Sequence, residues 1–290
     1  MNSDPQQQPI VWRKVRDGVY ATTLGPAGAN AGLVVGTTGT LLVDTGSSPA
    51  QGQALRASIA QVTDVPLRYV VVTHHHWDHA YGLSAFADLE SIGHESLAET
   101  LATGPALAAA SERGLSAEEV VAPATSLSII AARDLGGIHV EIGHFGAGHT
   151  RGDLAVLVPE ARVLFAGDLV EQGGPPQVDE TTSLKNWPRV MEALLTLCKP
   201  DTIVVPGHGD DVDPHFISWQ GTGLDAIHGQ CAWLVSQGVA EADAYTHPDL
   251  QWPWDEQWVR GAIHQAYSEL AATGVKPVLR SLPIQAVPHD

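Results

Sequence analysis

Positive charge is scarce in this chain: 15 lysines and arginines stand against 33 aspartates and glutamates, for a net charge of −18. So acidic a protein does not gather nucleic-acid phosphates or anionic lipid headgroups, and neither a nucleic acid nor a membrane is expected as a partner. Cysteine is scarcer still. Cys198 and Cys231 are the only two, without Cys-x-x-Cys spacing. That argues against a thiolate metal cage or a disulfide framework and leaves buried free thiols as the expectation. No apolar run nears the ~20 residues that cross a bilayer. The stretch from Met1 to Gln8 has neither a basic nor an apolar segment, so no secretory signal is read and the cytoplasm is the expected location. A Gly-x-Ser-x-Gly elbow for serine catalysis is missing, as are a solenoid repeat and an internal linker.

What the chain does have is apolar material cut into short pieces. Hydrophobic residues make up 44% of its 290 positions, ample for a sizeable core. One domain over residues 1–290 is expected, with a core at about 10–210 and a helical extension at about 212–290. Short β-prone runs at 10–15 and 18–22 flank Asp17-Gly18, a hairpin signal. A second pair, 31–35 and 40–43, ends in Asp44-Thr45-Gly46. Ser48-Pro49 then opens a helix to about Val62. After the strand 69–72, the alanine-rich residues 95–125 read as two or three helices capping a site. Strands follow at 127–131, 138–145, 154–158, 163–166 and 202–205, with a helix at about 184–197. The rest is mostly helical, with Trp252, Trp254 and Trp258 as packing anchors and a tryptophan-rich face that could serve a homodimer. The class is α/β.

One stretch cannot be explained by packing. Thr73-His74-His75-His76-Trp77-Asp78-His79 follows directly on a buried strand. Clustered histidines would repel one another near pH 6 and leave polar groups to satisfy, so a purely structural role is costly. In an extended stretch alternate side chains share a face, which lets His74 and His76 hold one ion. Asp78 and His79 come after the chain turns and can face a second. His75 points the other way and is read as a supporting or structural residue. Neutral imidazoles with carboxylates suit zinc, and also iron or manganese. Three more candidates, His149, Asp168 and His208, each lie beside glycine, the last two after β-like runs. Weaker candidates are Trp77 and Tyr81, for pocket lining or packing, and His94 and His144, for outer support or core. Asp153 is read as a turn cap beside His149, and Asp210 as a loop or solvent residue.

Taken together, Asp44, then His74-x-His76-x-Asp78-His79, then His149, Asp168 and His208 resemble the pattern of the metallo-β-lactamase-fold hydrolases, over roughly residues 15–210. The resemblance implies a four-layer αβ/βα sandwich, here with helical inserts and a helical C-terminal extension. It implies two divalent ions, zinc first: one held by His74, His76 and His149, the other by Asp78, His79 and His208. Asp168 would bridge them and Asp44 would orient a ligand from outside. The activity implied is attack by a metal-bridging hydroxide on a small ester, lactone or thioester. Asp168 would fix the ions' separation and Asp78 would hold or relay a proton. Asp168 departs from the penicillin-cleaving zinc enzymes, many of which use a cysteine there. The few cations near the site set the chain apart from hydroxyacylglutathione hydrolases. An alternative is a mononuclear iron oxygenase similar to persulfide dioxygenases, using only His74, His149 and Asp168.

Overall fold

Along the central strands, side chains alternate between two apolar environments. Leu41 and Val43 join one buried cluster while Leu42 joins another, and Val71 parts in the same way from Val70 and Val72. A strand buried on both faces must lie between two layers, and that period of two builds the architecture. The computed structural model describes residues 9–274; the glutamine-rich start (1–8) and the end of the expected extension (275–290) lie outside the described residues.

The first half of the chain forms β1 (Arg13–Arg16), β2 (Val19–Leu24), β3 (Ala29–Val35), β4 (Thr40–Val43), β5 (Leu67–Val71), β6 (Glu90–His94) and β7 (Thr125–Leu127), paired in that order. Between them lie α1 (Pro49–Ser58), α2 (Trp77–Ala80), α3 (Leu97–Leu101) and α4 (Gly104–Glu112). The second half adds β8 (Ile130–Asp134), β9 (His139–Gly143), β10 (Ala155–Val158), β11 (Val163–Glu171), α5 (Trp187–Leu197) and β12 (Ile203–His208), and then α6 (Pro214–Ser236), α7 (Glu241–Ala244) and α8 (Glu256–Ala272). Its strands run in the order β12-β11-β10-β9-β8, joined to the first group by the pairing of Ala29 with His208.

The central cluster draws Val34, Leu41 and Ile92 from one half and Val140, Val156 and Phe165 from the other, so the two groups of strands face each other. On the far side of the first, Leu33, Leu42 and Val70 pack with Leu55 of α1 and with Phe86. On the far side of the second, Leu157, Leu164 and Val204 pack under α5, α6 and α8. This is the expected helix–sheet–sheet–helix sandwich. Each fully buried Leu or Val contributes roughly 1.5–3 kcal/mol. Trp252, Trp254 and Trp258 pack against the α5–α8 cluster as read, whereas Trp219 and Trp233 stay exposed. Cys231 is buried and Cys198 half-buried, both as free thiols. Among the described residues no helix is long and apolar enough to cross a membrane.

Several boundaries differ from the sequence reading. The stretch 127–131, expected as one strand, divides between β7 and β8 at opposite ends of the strand order, and β12 runs on from Val205 to His208. β11 does not stop at Ala166 but continues to Glu171, through Gly167 at φ +52 and with register shifts on either side. A bulge re-aims a side chain without ending the strand, and here that side chain is Asp168. α5 starts at Trp187 rather than Leu184, with Pro188 in its first turn. α1 ends at Ser58 and the next three residues, Ile59–Gln61, tighten into a 3₁₀ turn.

Candidate metal centre

Strand ends deliver the site. Asp44 follows β4, the His74–His79 run leaves β5, Asp168 sits in the bulged part of β11, and His208 closes β12. His149 comes from the loop before β10. That loop is held by Asp153, which accepts hydrogen bonds from the Thr150 N–H, the Thr150 hydroxyl and the Gly148 N–H. All seven expected ligand residues meet at one edge of the sandwich, and His74, Asp78, His79, His149 and Asp168 are buried.

The ring nitrogens of the first set converge. His76 Nδ1 lies 3.1 Å from His74 Nε2 and 2.8 Å from His149 Nε2. The outward nitrogens fix the tautomers. The Thr73 hydroxyl donates to Asp44 Oδ2 at 2.9 Å, so it accepts from His74 Nδ1 at 3.0 Å. His149 Nδ1 donates to the Gln177 carbonyl at 3.1 Å, and His76 Nε2 to Asp179 Oδ2 at 2.8 Å. Each of the three inner nitrogens is therefore left with a lone pair, and three lone pairs face one point. A proton serves one pair of them; a metal ion serves all three.

Burial, reinforced by His79, holds the His74 imidazole well below the ordinary histidine range, and burial with His76 brings His149 down to about 4. These two stay neutral, as ligands must. At His76 burial acts against the charge, but Asp179 outweighs it and raises the imidazole.

The second set is richer in carboxylate. His79 donates from Nδ1 to Asp44 Oδ2 at 2.8 Å, which turns Nε2 toward His208 Nε2, 3.4 Å away, and Asp168 Oδ1, 3.1 Å away. Asp78 Oδ2 lies 3.2 Å from His208 Nε2. Burial opposes charge on these imidazoles, yet Asp168, Asp78 and Asp44 raise His79 well above its usual value, and bonds to Asp168 and Asp78 raise His208 to about 10. Asp168 reaches both sets: Oδ2 is 3.6 Å from His74 Nε2 and 3.5 Å from both His149 and His208 Nε2. Its Oδ1 is buried without a hydrogen-bond partner, an expensive state that a cation would relieve. The donor set therefore fits divalent metal.

Asp44 holds the two sets together while at φ +64, a strained value for a residue with a side chain. Besides His79 and the Thr73 hydroxyl, it accepts the Thr73 N–H at 2.8 Å.

The sequence profile described as the metallo-beta-lactamase superfamily matches residues 24–208. The chain belongs to that superfamily. It is a metal-dependent hydrolase on that footing. It is 26% identical over 200 residues to metallo-beta-lactamase IND-1 of Chryseobacterium indologenes, covering 67% of this chain and 74% of that one. It is 28% identical over 199 residues to the probable metallo-hydrolase YqgX of Bacillus subtilis, covering 66% and 89%. With hydroxyacylglutathione hydrolase of Ruegeria pomeroyi it shares 32% over 145 residues, 49% of this chain and 48% of the other. A metallo-beta-lactamase from Pontibacter korlensis has the same fold, with TM-score 0.62 and 24% identity over 74% of this chain and 98% of that one.

Around this superfamily site the sequence reading missed three contributors. Asp179 lies 103 positions from the His76 it orients and also closes a turn by accepting from the Thr181 N–H and hydroxyl. An Asp-x-Thr turn signal was the only local hint. Gln177 supplies a backbone carbonyl, which no side-chain motif reveals. Glu171 is buried at the wall of a cavity of about 740 Å³ that opens onto Asp78, Asp168 and His208. Burial, then Asp168, pushes its carboxyl well above the usual range.

A second cavity of about 370 Å³ shares His76 and Trp77 with the first and runs under α4, the expected cap. Arg113 stacks 4.0 Å over the Trp77 ring, and the Tyr81 hydroxyl donates to the Ala106 carbonyl at 2.8 Å, so both residues line and pack at once. His75 lines this second cavity and belongs to neither set. The His94 and His144 rings stack with centroids 4.1 Å apart and belong to neither set, and Asp210 is exposed.

Proposed function

We propose that the chain is a dinuclear metallo-hydrolase, zinc being the first candidate metal, that cleaves a small uncharged ester, lactone or thioester. The observation that carries this reading is the three inward lone pairs of His74, His76 and His149 beside a second set, Asp78, His79 and His208, with Asp168 within reach of both. When bound, a pair of such ions lowers the pKa of water toward ~7 and polarises a carbonyl oxygen.

The chain's own residues supply the rest. Asp168 ties the two sets at one spacing. Asp78, on the wall of the large cavity, is placed to hold the proton of the attacking water at its carboxylate. Asp44, through His79 and through Thr73 on His74, keeps ligand tautomers correct. Trp77 and the 173–177 loop wall the cavity.

Thioester cleavage draws support from the likeness to hydroxyacylglutathione hydrolase over about half of each chain. Among the described residues no lysine or arginine lines the large cavity, which favours an uncharged substrate over one carrying glutathione's carboxylates. In an oxygenase of the one-iron type, Asp78, His79 and His208 would have no task, although they are gathered as closely as the first set.

The test is elemental analysis of the protein as purified together with turnover on ester, lactone and thioester panels. About two zinc per chain and turnover on at least one class are expected. One iron per chain with persulfide-dependent oxygen consumption would overturn the reading.

A further inference from the structure

The segment 172–186 passes beside the first ligand set without belonging to any helix or strand. It nonetheless makes three of the closest outer contacts of that set. The Gln177 carbonyl accepts from His149 Nδ1, Asp179 accepts from His76 Nε2, and the Thr182 hydroxyl donates to the His149 carbonyl at 2.8 Å. Backbone outside regular structure needs partners from elsewhere. Here many of them come from one helix.

In α8, Trp258 Nε1 donates to the Pro176 carbonyl at 2.6 Å, and Gln265 Nε2 donates to the Thr182 carbonyl at 2.7 Å. Glu269 accepts the Leu184 and Lys185 N–H groups at 2.7 and 3.1 Å. The spacing from 258 to 265 to 269 puts these side chains on one face of the helix. The helix itself is anchored by Val259, Ile263, Ala266 and Leu270 in the cluster under the second group of strands. It lies wholly beyond residues 24–208, the part matched by the superfamily profile.

We infer that α8 is a positioning element for the first ligand set: Trp258, Gln265 and Glu269 strap the 176–185 segment so that Gln177 and Asp179 hold His149 and His76 in register. The second set is held from elsewhere: Asp44, the outer partner of His79, comes from the end of β4, and the His208 carbonyl accepts from the Gln172 and Gly173 N–H groups, ahead of the strapped 176–185 stretch. This extends the metal-centre reading above and rests on it. The strap acts on one ion and not on the other.

Site-selective zinc affinity tests this, measured by chelator competition in two full-length backgrounds: His208→Ala, which isolates the first set, and His149→Ala, which isolates the second. Each background is combined with Trp258→Phe, which keeps a ring in the core but removes the N–H, with Gln265→Leu, or with Ser268→Ala as an exposed control. Loss of outer-shell support costs about 10–100-fold, and a strap one bond further out is expected at about tenfold. That loss should appear only in the first-set background, with the second set and the control within twofold. Equal losses in both backgrounds would mean a general structural role and would overturn the inference, as would no loss in either. If Gln265→Leu does not fold, Trp258→Phe decides alone. Should the His208→Ala and His149→Ala parents, with the strap intact, bind no zinc while folded, the metal-centre reading fails and the strap falls with it.

Discussion

Replacing Asp44 with asparagine probes the site's wiring with little change in shape. The backbone at φ +64 tolerates asparagine, so strain is not the issue. The carboxylate receives three donors: the Thr73 N–H on Oδ1, and the Thr73 hydroxyl and His79 Nδ1 on Oδ2. An amide offers one oxygen and one NH₂. With the oxygen in the Oδ2 position, the NH₂ confronts the Thr73 N–H at 2.8 Å. A buried N–H without an acceptor then costs about 1–3 kcal/mol.

With the oxygen in the other position, the NH₂ faces His79. That ring must carry its proton on Nε2, pointing it into the second set. A protonated Nε2 cannot bind a metal ion, so the second ion is lost first. An outer-shell loss of about 10–100-fold in affinity is expected, equivalent to about 1.4–2.7 kcal/mol. Zinc titration with ¹⁵N detection of the His79 ring measures both consequences at once. Two ions bound at wild-type affinity with Nδ1 still protonated would refute the tautomer argument.

Asp168→Ala removes the carboxylate within reach of both sets, so metal content should fall from about two to about one per chain; losing the several kcal/mol a metal supplies should slow turnover by about 10³-fold or more. Two retained metals at normal rates would sink the bridging role. Gly207→Ala places a Cβ 1.7 Å from Asp168 Oδ1, and the overpacking should cost about 1–3 kcal/mol in melts and displace the metal; an unchanged melting curve would contradict it. Burial pushes the Asp153 carboxyl up to about 7 against hydrogen bonds that favour its ionised form. A folded pKa above the unfolded value near 4 makes its stabilisation full below about pH 4 and lost as pH climbs through about 7. Metal-free wild type should therefore lose up to about 4 kcal/mol relative to Asp153→Asn between pH 4 and 7 in denaturant melts, and parallel pH curves would refute this.

The legible parts of the site are those written locally. His74, His76, Asp78 and His79 fall within six positions after an apolar run, and Asp168 and His208 announce themselves by glycine neighbours. Those glycines are required by close approach: nothing larger fits at position 207 beside the Asp168 carboxylate. Parity sets His75 apart from His74 and His76; in the structure it lies outside the first ligand set but clusters with His76 and Asp179.

The outer supports were not legible because they join distant segments. Asp179 meets His76 across 103 positions, and Trp258 meets Pro176 across 82. The end of β11 was misread because Gly167 resembles a terminating turn, whereas the strand bulges there and continues. The start of α5 was set too early because Leu184 fits the apolar pattern, although its N–H is engaged by Glu269 rather than by a helix turn.

The charge arrangement links the acidic composition to the choice of substrate. Two divalent ions would bring four positive charges, the largest local charges in such a site. Asp78 and Asp168 set two negative charges among the ligand atoms, and Asp44 and Asp179 set two more one hydrogen bond out, on His79 and His76. Such a centre is close to neutral as a whole while strongly polarising at its inner face. Net attraction for an anion at such a centre would be small, and the field of a chain carrying −18 opposes its approach. An uncharged carbonyl compound meets no such barrier. Its hydrolysis would create a carboxylate inside a cavity that, among the described residues, no lysine or arginine lines. The same surroundings that disfavour an anionic substrate thus favour departure of an anionic product, in keeping with the neutral ester, lactone or thioester proposed above.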